Sequence, residues 1–155
     1  MFILPWVDSE GIRPDPEKVK VIQNWKPSTD VTDLQSYLGL ANYYRGFVKN
    51  FSQLALPLLR LTEGNPKKNS PIQLDDEAKQ SFQQIKNHLT GDELLAHPDF
   101  GPNAQKFILD TDWSENKKTI SGILSQPQPN KAGELQERVI YFSSKKLNKA
   151  QQRYR

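Results

Sequence analysis

Residues 30–51 carry the longest helical pattern in the chain, and this pattern constrains the fold more than any other stretch. Their apolar side chains recur at steps of three and four residues, which gathers them on one side of an α-helix. These are Leu34, Tyr37, Leu38, Ala41, Tyr44, Val48 and Phe51. Another side of the helix carries amide and cationic groups. These are Gln35, Asn42, Arg45 and Lys49. The pattern predicts one long helix with a buried side and a side available to a partner. Asp30 with Asp33, or Thr32 with Gln35, can cap its first turn.

Three further helices are predicted around it. Pro16 suits the first turn of a helix over residues 17–25, and Pro57 interrupts or starts a helix within residues 51–61. The acidic run Asp75-Asp76-Glu77 is expected to lie at the start of a helix over residues 76–90, with Asp75-Asp76 capping it, and the helix is expected to end at Gly91. The predicted inward positions are Val19, Ile22, Trp25, Leu54, Leu58, Leu61, Ala78, Phe82, Ile85 and Leu89. Residues 14–90 are therefore predicted to form a small helical domain.

The second half of the chain has strand patterns instead. After a proline-containing connector over residues 91–105, residues 106–112, 119–126 and 138–143 are predicted strands, with a turn-rich loop over residues 127–134. Short connections favour an antiparallel meander, and residues 147–154 are expected to begin a helix. An apolar run over residues 2–7 predicts a strand near the start. The predicted fold class is therefore α+β.

Composition excludes several kinds of site. The chain has no cysteine and two histidines, so disulfides and thiolate metal sites are excluded and a zinc site is not expected. Neither His88 nor His97 lies in a nucleophile motif. No apolar run reaches the roughly 18 residues of a membrane span. We expect an intracellular protein, cytoplasmic or nuclear, without a membrane partner.

Charge is unevenly distributed, although the net charge is only +3. Residues 138–155 contain no acid, whereas residues 63–99 contain more acids than lysines. The cations of the C-terminal segment are Arg138, Lys145, Lys146, Lys149, Arg153 and Arg155. Such a segment favours a local surface that faces a polyanion, and a merely solvated face is the alternative.

Three motifs give the chain a family resemblance. The run S-Y-L-G-L-A-N-Y-Y-R-G-F-V-K-N-F over residues 36–51 resembles the thumb signature of reverse transcriptases from gypsy-type LTR retrotransposons, which are parts of a Pol polyprotein. The runs G-I-R-P-D-P-E-K-V (residues 11–19) and F-I-L-D-T-D (residues 107–112) resemble the same family in the same order. The resemblance covers nearly the whole chain.

The resemblance implies a division of the chain into four parts. Residues 1–13 would be a residual hairpin or strand of the polymerase, residues 14–90 a thumb-like helical bundle and residues 91–105 a connector. Residues 106–155 would be a truncated RNase H-like domain with a partial, three-stranded antiparallel sheet and the start of a helix. No Tyr-x-Asp-Asp polymerase motif occurs in the sequence, so DNA synthesis is not expected.

The resemblance also assigns one catalytic carboxylate. Thr-Asp-Trp-Ser resembles the Thr-Asp-Ala-Ser run that opens the family's RNase H domain, which makes Asp112 the first metal-binding carboxylate. The intact family enzyme uses Mg²⁺, and two-metal nucleases need several carboxylates. The next family carboxylate would fall after residue 155. We therefore expect an incomplete site, no metal bound by this chain alone and no nuclease activity. Trp113 and the glycine-free run over residues 115–119 depart from the family pattern.

Thumb helices of the family lie along the template-primer duplex and contact its backbone. By the resemblance, the contacting residues of this chain would be Asn42, Tyr43, Arg45 and Lys49. Binding would be weak and non-specific, with an RNA–DNA hybrid or duplex and the remainder of the polymerase as partners. The leading hypothesis is a piece of a retrotransposon reverse transcriptase, or a host protein derived from one. The alternative is a domesticated protein–protein interaction module that uses Trp6, Trp113 and Tyr154. A nuclease that completes its carboxylates by dimerising is a third hypothesis.

Overall fold

A computed structural model describes residues 5–64, 66–91 and 94–153. A two-stranded hairpin, β1 (Trp6–Asp8) and β2 (Gly11–Arg13), comes first. Five helices follow: α1 (Pro16–Asn24), α2 (Val31–Tyr43), α3 (Phe51–Leu54), α4 (Leu56–Arg60) and α5 (Asp76–Thr90). The last part is an antiparallel sheet of β3 (Ile108–Ser114), β4 (Thr119–Pro129) and β5 (Leu135–Lys146), in the spatial order β3-β4-β5. The predicted α+β class is confirmed.

Side-chain caps explain where the longer helices begin. Asp15, Asp30 and Asp75 each accept a hydrogen bond from a backbone N–H of the following first turn. Such caps satisfy amides that have no partner inside the helix. The bond from Ala78 N to Asp75 Oδ1 measures 2.7 Å, and α5 has the predicted bounds and ends before Gly91.

The helices enclose one apolar core. The inward residues predicted on residues 30–51 and on α5 are all buried. Ile22 and Leu58 are buried too, whereas Val19, Trp25, Leu54 and Leu61 are half-buried. Tyr37 stacks on Phe82 with ring centroids 4.1 Å apart, and its hydroxyl donates to the Phe82 carbonyl at 3.0 Å. Burial raises the pKa of Tyr37 above its usual value.

The prediction of one helix over residues 30–51 is wrong. Helix α2 ends at Tyr43, a 3₁₀ turn occupies Arg45–Phe47, and Asn50 adopts a left-handed conformation before α3. The break places buried Gly46 against the ring of Tyr141 on β5, where a Cβ atom would overlap the ring. Residues 51–61 likewise form two short helices, with Pro57 in the first turn of α4.

Strand lengths also differ from the prediction. Strand β4 extends through Pro127 and Pro129, where a loop was expected. Proline cannot donate to a ladder, but pairing with β3 ends at Ser125, so the prolines lie where β4 pairs with β5 alone. Instead of the helix predicted over residues 147–154, a single 3₁₀ turn forms at Gln151–Arg153. Residues 1–4 and 154–155, including Tyr154, lie outside the described residues.

Strand β5 joins the sheet to the helices and to the hairpin. Val139 and Phe142 pack against the helical core. The backbone N–H of Ser52 on α3 donates to Ser144 Oγ at 2.8 Å. The side chain of Arg138 donates to the Glu10 carbonyl at 2.9 Å. The sheet is therefore held to the helical bundle along one of its edges.

A buried amide fixes the segment that leads into the sheet. Gln126 is fully buried on β4, and its Nε2 donates to the carbonyls of Asp99 at 2.8 Å and Gln105 at 2.7 Å. Its Oε1 accepts from Asp99 N at 2.8 Å. The segment before β3 is thus bonded to the sheet through one side chain.

Within the described ranges, no helix is long and apolar enough to cross a membrane.

Candidate nucleic-acid interface

The outer side of α2 presents a stripe of exposed residues. We call this set the α2 stripe; it consists of Gln35, Ser36, Gly39, Asn42 and Tyr43. Steps of three and four residues place them on neighbouring positions of one helical side. Asn42 is exposed, as the helical pattern predicted, and Tyr43 beside it is 47% exposed. The stripe offers amide, hydroxyl and aromatic groups without a charge.

Gly39 is the member of this stripe that sequence reasoning missed. It lies inside a helix, where glycine is less favourable than alanine by about 1 kcal/mol. No atom lies within 4 Å of the place where its Cβ would stand, so internal packing does not require a glycine. Because glycine has no Cβ atom, a ligand can approach the helix backbone closely at this position. The available signal was its position between Gln35 and Tyr43 at steps of four residues.

Arg45 and Lys49 do not belong to the α2 stripe. Because the helix ends at Tyr43, Arg45 lies in the 3₁₀ turn and Lys49 lies beyond it. The prediction that they share a helical side with Asn42 is wrong for this reason. Both side chains are exposed, and neither forms an ion pair with a residue that the structure describes. They are two available cations next to the stripe rather than part of it.

A small cleft of about 130 Å³ connects α2 with the end of β5. It brings together Asn42, Ser52 and Lys146, with apolar side chains of α2, α3 and α4. Lys146 also forms an ion pair with Glu63 at 3.2 Å. The cleft is the place where the helical part and the basic end of the sheet meet.

Asp112 belongs to a row of polar residues that crosses the sheet. It pairs with Ser121 on β4, which pairs with Ser144 on β5, so the three side chains point to one face of the sheet. Adjacent strands are about 4.8 Å apart, which places the Cα atoms of Asp112 and Ser144 roughly 10 Å apart. Ser144 accepts the hydrogen bond from Ser52, so the row runs from Asp112 to the start of α3.

The surroundings of Asp112 do not form a metal site. The Asp112 side chain is exposed and accepts a hydrogen bond from the adjacent Trp113 N at 2.9 Å. Asp110 lies on the same face, two positions earlier on β3. Among the described residues, no group of three or more histidine, cysteine, aspartate or glutamate side chains could hold an ion. A two-metal site needs more carboxylates than this pair, so the residues present do not fit it.

The exposed tryptophans proposed for protein interactions lie elsewhere. Trp6 is 56% exposed on β1, and Trp113 is 47% exposed on the sheet face opposite Asp112. The Nζ atom of Lys118 lies 6.0 Å from the Trp113 ring centroid. No described cleft joins the two tryptophans.

Comparisons with known proteins agree with this architecture. Residues 74–155 match the family described as the RNase H-like domain found in reverse transcriptase. The chain is 37% identical to the retrovirus-related Pol polyprotein from transposon opus of Drosophila melanogaster, over 96% of the chain and 14% of that relative. It is 32% identical to the Pol polyprotein from transposon gypsy of the same organism, with the same coverage. Transposon Tf2-3 polyprotein of Schizosaccharomyces pombe is 30% identical, over 99% of the chain and 10% of the polyprotein.

Solved structures give the same fold. The foamy viral protease-reverse transcriptase in complex with dsDNA superposes with a TM-score of 0.71 at 24% identity, covering 100% of the chain and 30% of that protein. Its complex with an RNA/DNA hybrid superposes with a TM-score of 0.69 at 25% identity, covering 98% of the chain and 19% of that protein.

The antiparallel sheet with an aspartate on its first strand agrees with the class of RNase H-like domains found in reverse transcriptase. The chain belongs to the family of RNase H-like domains found in reverse transcriptases, and its relatives are retrotransposon Pol polyproteins. The resemblance seen in the sequence is thereby confirmed. The chain spans about 14% of the length of the Drosophila relatives.

Proposed function

We propose that the chain grips a nucleic-acid duplex, an RNA–DNA hybrid among its ligands, along the α2 stripe and without sequence preference. The observation that carries this proposal is Gly39, an exposed glycine that packing does not require, between Gln35 and Tyr43. An open helix backbone flanked by amide and tyrosine side chains suits sugar and phosphate oxygens. The bound duplexes of the similar foamy viral structures support the same function.

Electrostatic attraction would come from cations beside the stripe. Arg45 and Lys49 are exposed and have no acidic partner among the described residues. For each phosphate that a cation neutralises, the logarithm of the association constant falls by roughly 0.9 when the salt concentration rises tenfold. With few such contacts, affinity is weak and salt-dependent.

Asp112 would contribute to cleavage only within a larger Pol protein. There it would supply one carboxylate oxygen to Mg²⁺, and other parts of the polyprotein would supply the remaining ligands. The described carboxylates of this chain do not fit a two-metal site alone. We therefore expect the chain to hold the hybrid without cutting it.

The direct test is titration of a fluorescently labelled RNA–DNA hybrid at about 50 mM and about 200 mM salt. The native chain should bind at the lower concentration and lose affinity at the higher one. The double variant Arg45→Ala, Lys49→Ala should bind more weakly and with a smaller salt dependence. A matched control removes the same charge from the exposed residues Lys106, before β3, and Lys131, in the loop between β4 and β5, and should retain more of the affinity. Absence of binding at the lower salt concentration would exclude the proposed function.

A further inference from the structure

Two neighbouring clefts form a continuous polar groove along α5. One, of about 470 Å³, lies between the start of α3 and the second half of α5, and the other, of about 240 Å³, continues along α5. They share Gln53, Leu54 and Gln84. We call the combined surface the amide groove, after its side chains Asn50, Gln53, Gln80, Gln84 and Asn87.

Most amides of this groove have no hydrogen-bond partner among the described residues. The side chains of Asn50, Gln53, Gln80 and Gln84 form no hydrogen bond with any residue in the described ranges. Asn87 is different, because its Oδ1 accepts from Gln83 Nε2 at 2.7 Å. Each free amide offers two N–H donors and a carbonyl acceptor. Several donors and acceptors therefore face the same groove.

The charges in the groove favour an anion. Lys49 lies at one end and Lys117, from the turn between β3 and β4, lies at the other. The acid that lines the groove, Glu77, already faces Arg60, with Nη2 to Oε2 at 3.4 Å. The row of neutral amides therefore lies between two lysines, and neither lysine has an acidic partner among the described residues.

We propose that the amide groove binds the sugar–phosphate backbone of one nucleic-acid strand. Amide N–H groups and the two lysines suit phosphate oxygens, and amide carbonyls suit ribose hydroxyls. Residues 80 to 87 of α5 span about 10 Å at 1.5 Å per residue, which matches roughly three nucleotides at 3.4 Å each. The proposal rests on the proposed duplex grip and adds a second contact surface to it.

The groove adjoins the row that contains Asp112. Gln53 follows Ser52, whose N–H is bonded to Ser144 in that row. Lys117 belongs to the turn that follows the strand of Asp112. A nucleic-acid strand bound in the amide groove therefore extends toward the face of the sheet that carries Asp112.

Two isosteric variants, one inside the groove and one on the sheet, test the proposal. Gln84→Glu places a negative charge in the groove, whereas Gln136→Glu places it on an exposed position of β5 that does not line the groove. Hybrid affinity should fall by about threefold in Gln84→Glu, as expected for two unit charges about 7 Å apart in water. The Gln136→Glu variant should bind like the native chain. Equal affinities of the two variants would overturn the proposal.

Cross-linking gives an independent readout, because the chain has no cysteine. Gln84→Cys and Gln136→Cys can each be labelled with the same photoactivated cross-linker and mixed with the hybrid. A nucleic-acid adduct should form at position 84 in clear excess over position 136, and equal yields would overturn the proposal. If the native chain binds no hybrid, the proposed function itself fails. If it binds through the α2 stripe but both pairs of variants behave alike, only the groove proposal fails.

Discussion

The ring of Tyr141 on β5 occupies the space that a side chain at position 46 would need, so Gly46 and Tyr141 set how closely the helices approach the sheet. The 3₁₀ turn that contains Gly46 interrupts what would otherwise be a longer helix. The interruption places the backbone against β5, and because α2 ends at Tyr43, Arg45 and Lys49 lie outside the α2 stripe. The contact between Gly46 and Tyr141 therefore affects both the packing of the helices on the sheet and the positions of Arg45 and Lys49.

Gly46→Ala should destabilise the protein by roughly 1–3 kcal/mol, because the new methyl group overlaps the Tyr141 ring in a packed interface. Chemical denaturation measures the change in the free energy of unfolding. Unchanged stability would show that the turn and the sheet separate easily. The double variant Gly46→Ala, Tyr141→Ala should show non-additive losses, since the two residues are in contact.

Gly39→Ala should have the opposite effect on stability. It should raise the free energy of unfolding by up to about 1 kcal/mol, because alanine favours a helix and nothing lies near its Cβ. Hybrid affinity should nevertheless fall, and fall further in Gly39→Leu, as the side chain grows. Denaturation and the hybrid titration together separate the two effects. A more stable variant with native affinity would show that duplexes do not approach α2 at this point.

Asp75→Ala should lower the free energy of unfolding by about 1 kcal/mol. Its carboxylate accepts the hydrogen bond from Ala78 N at 2.7 Å, and that amide would lose its partner at the start of α5. Asp76→Ala removes the same charge one position later, where the side chain makes only a 3.8 Å ion pair with Lys79. Thermal unfolding of the two variants side by side provides the measurement, and equal losses would contradict the capping role.

Stability should fall in alkaline solution because burial raises the pKa of Tyr37. An unfolded tyrosine ionises near pH 10, so the stabilising effect of its neutral folded form is complete below that pH and is lost as the pH rises above it. Tyr37→Phe should cost about 1 kcal/mol at neutral pH through the lost bond to Phe82. Above about pH 10 its stability should decline less steeply than that of the native chain. Parallel slopes would contradict this assignment.

Local pattern was sufficient to predict α5 and most of the core. The apolar spacing and the Asp75 cap define α5, and no distant contact disturbs it. The spacing of Tyr44, Val48 and Phe51 also predicted burial correctly, although the backbone around them is not a continuous helix. The contact between Gly46 and Tyr141 joins segments far apart in sequence, so no local pattern could reveal the break.

Local sequence pattern likewise predicted only part of the candidate site. Asn42 is exposed on α2, as its period indicated, and Tyr43, which only the family resemblance singled out, is exposed beside it; the binding role of both stays a prediction. Arg45 and Lys49 were assigned to the same side only because a continuous helix was assumed. Gln53 and Gln84 were not singled out, because α3 and α5 meet only in the folded chain. The assignment of Asp112 as a metal ligand comes from family resemblance and stays a prediction.

Hydrogen exchange should divide the sheet unequally. Over residues 119–125, β4 is bonded to β3 on one side and to β5 on the other, whereas β3 pairs only with β4 within the described residues. Amide protons in the middle strand can exchange only after both ladders open, while alternate amides of β3 point outward and exchange through local fluctuations. The slowest protons of the sheet should therefore lie on β4, between an edge held by the helices and an edge open to solvent.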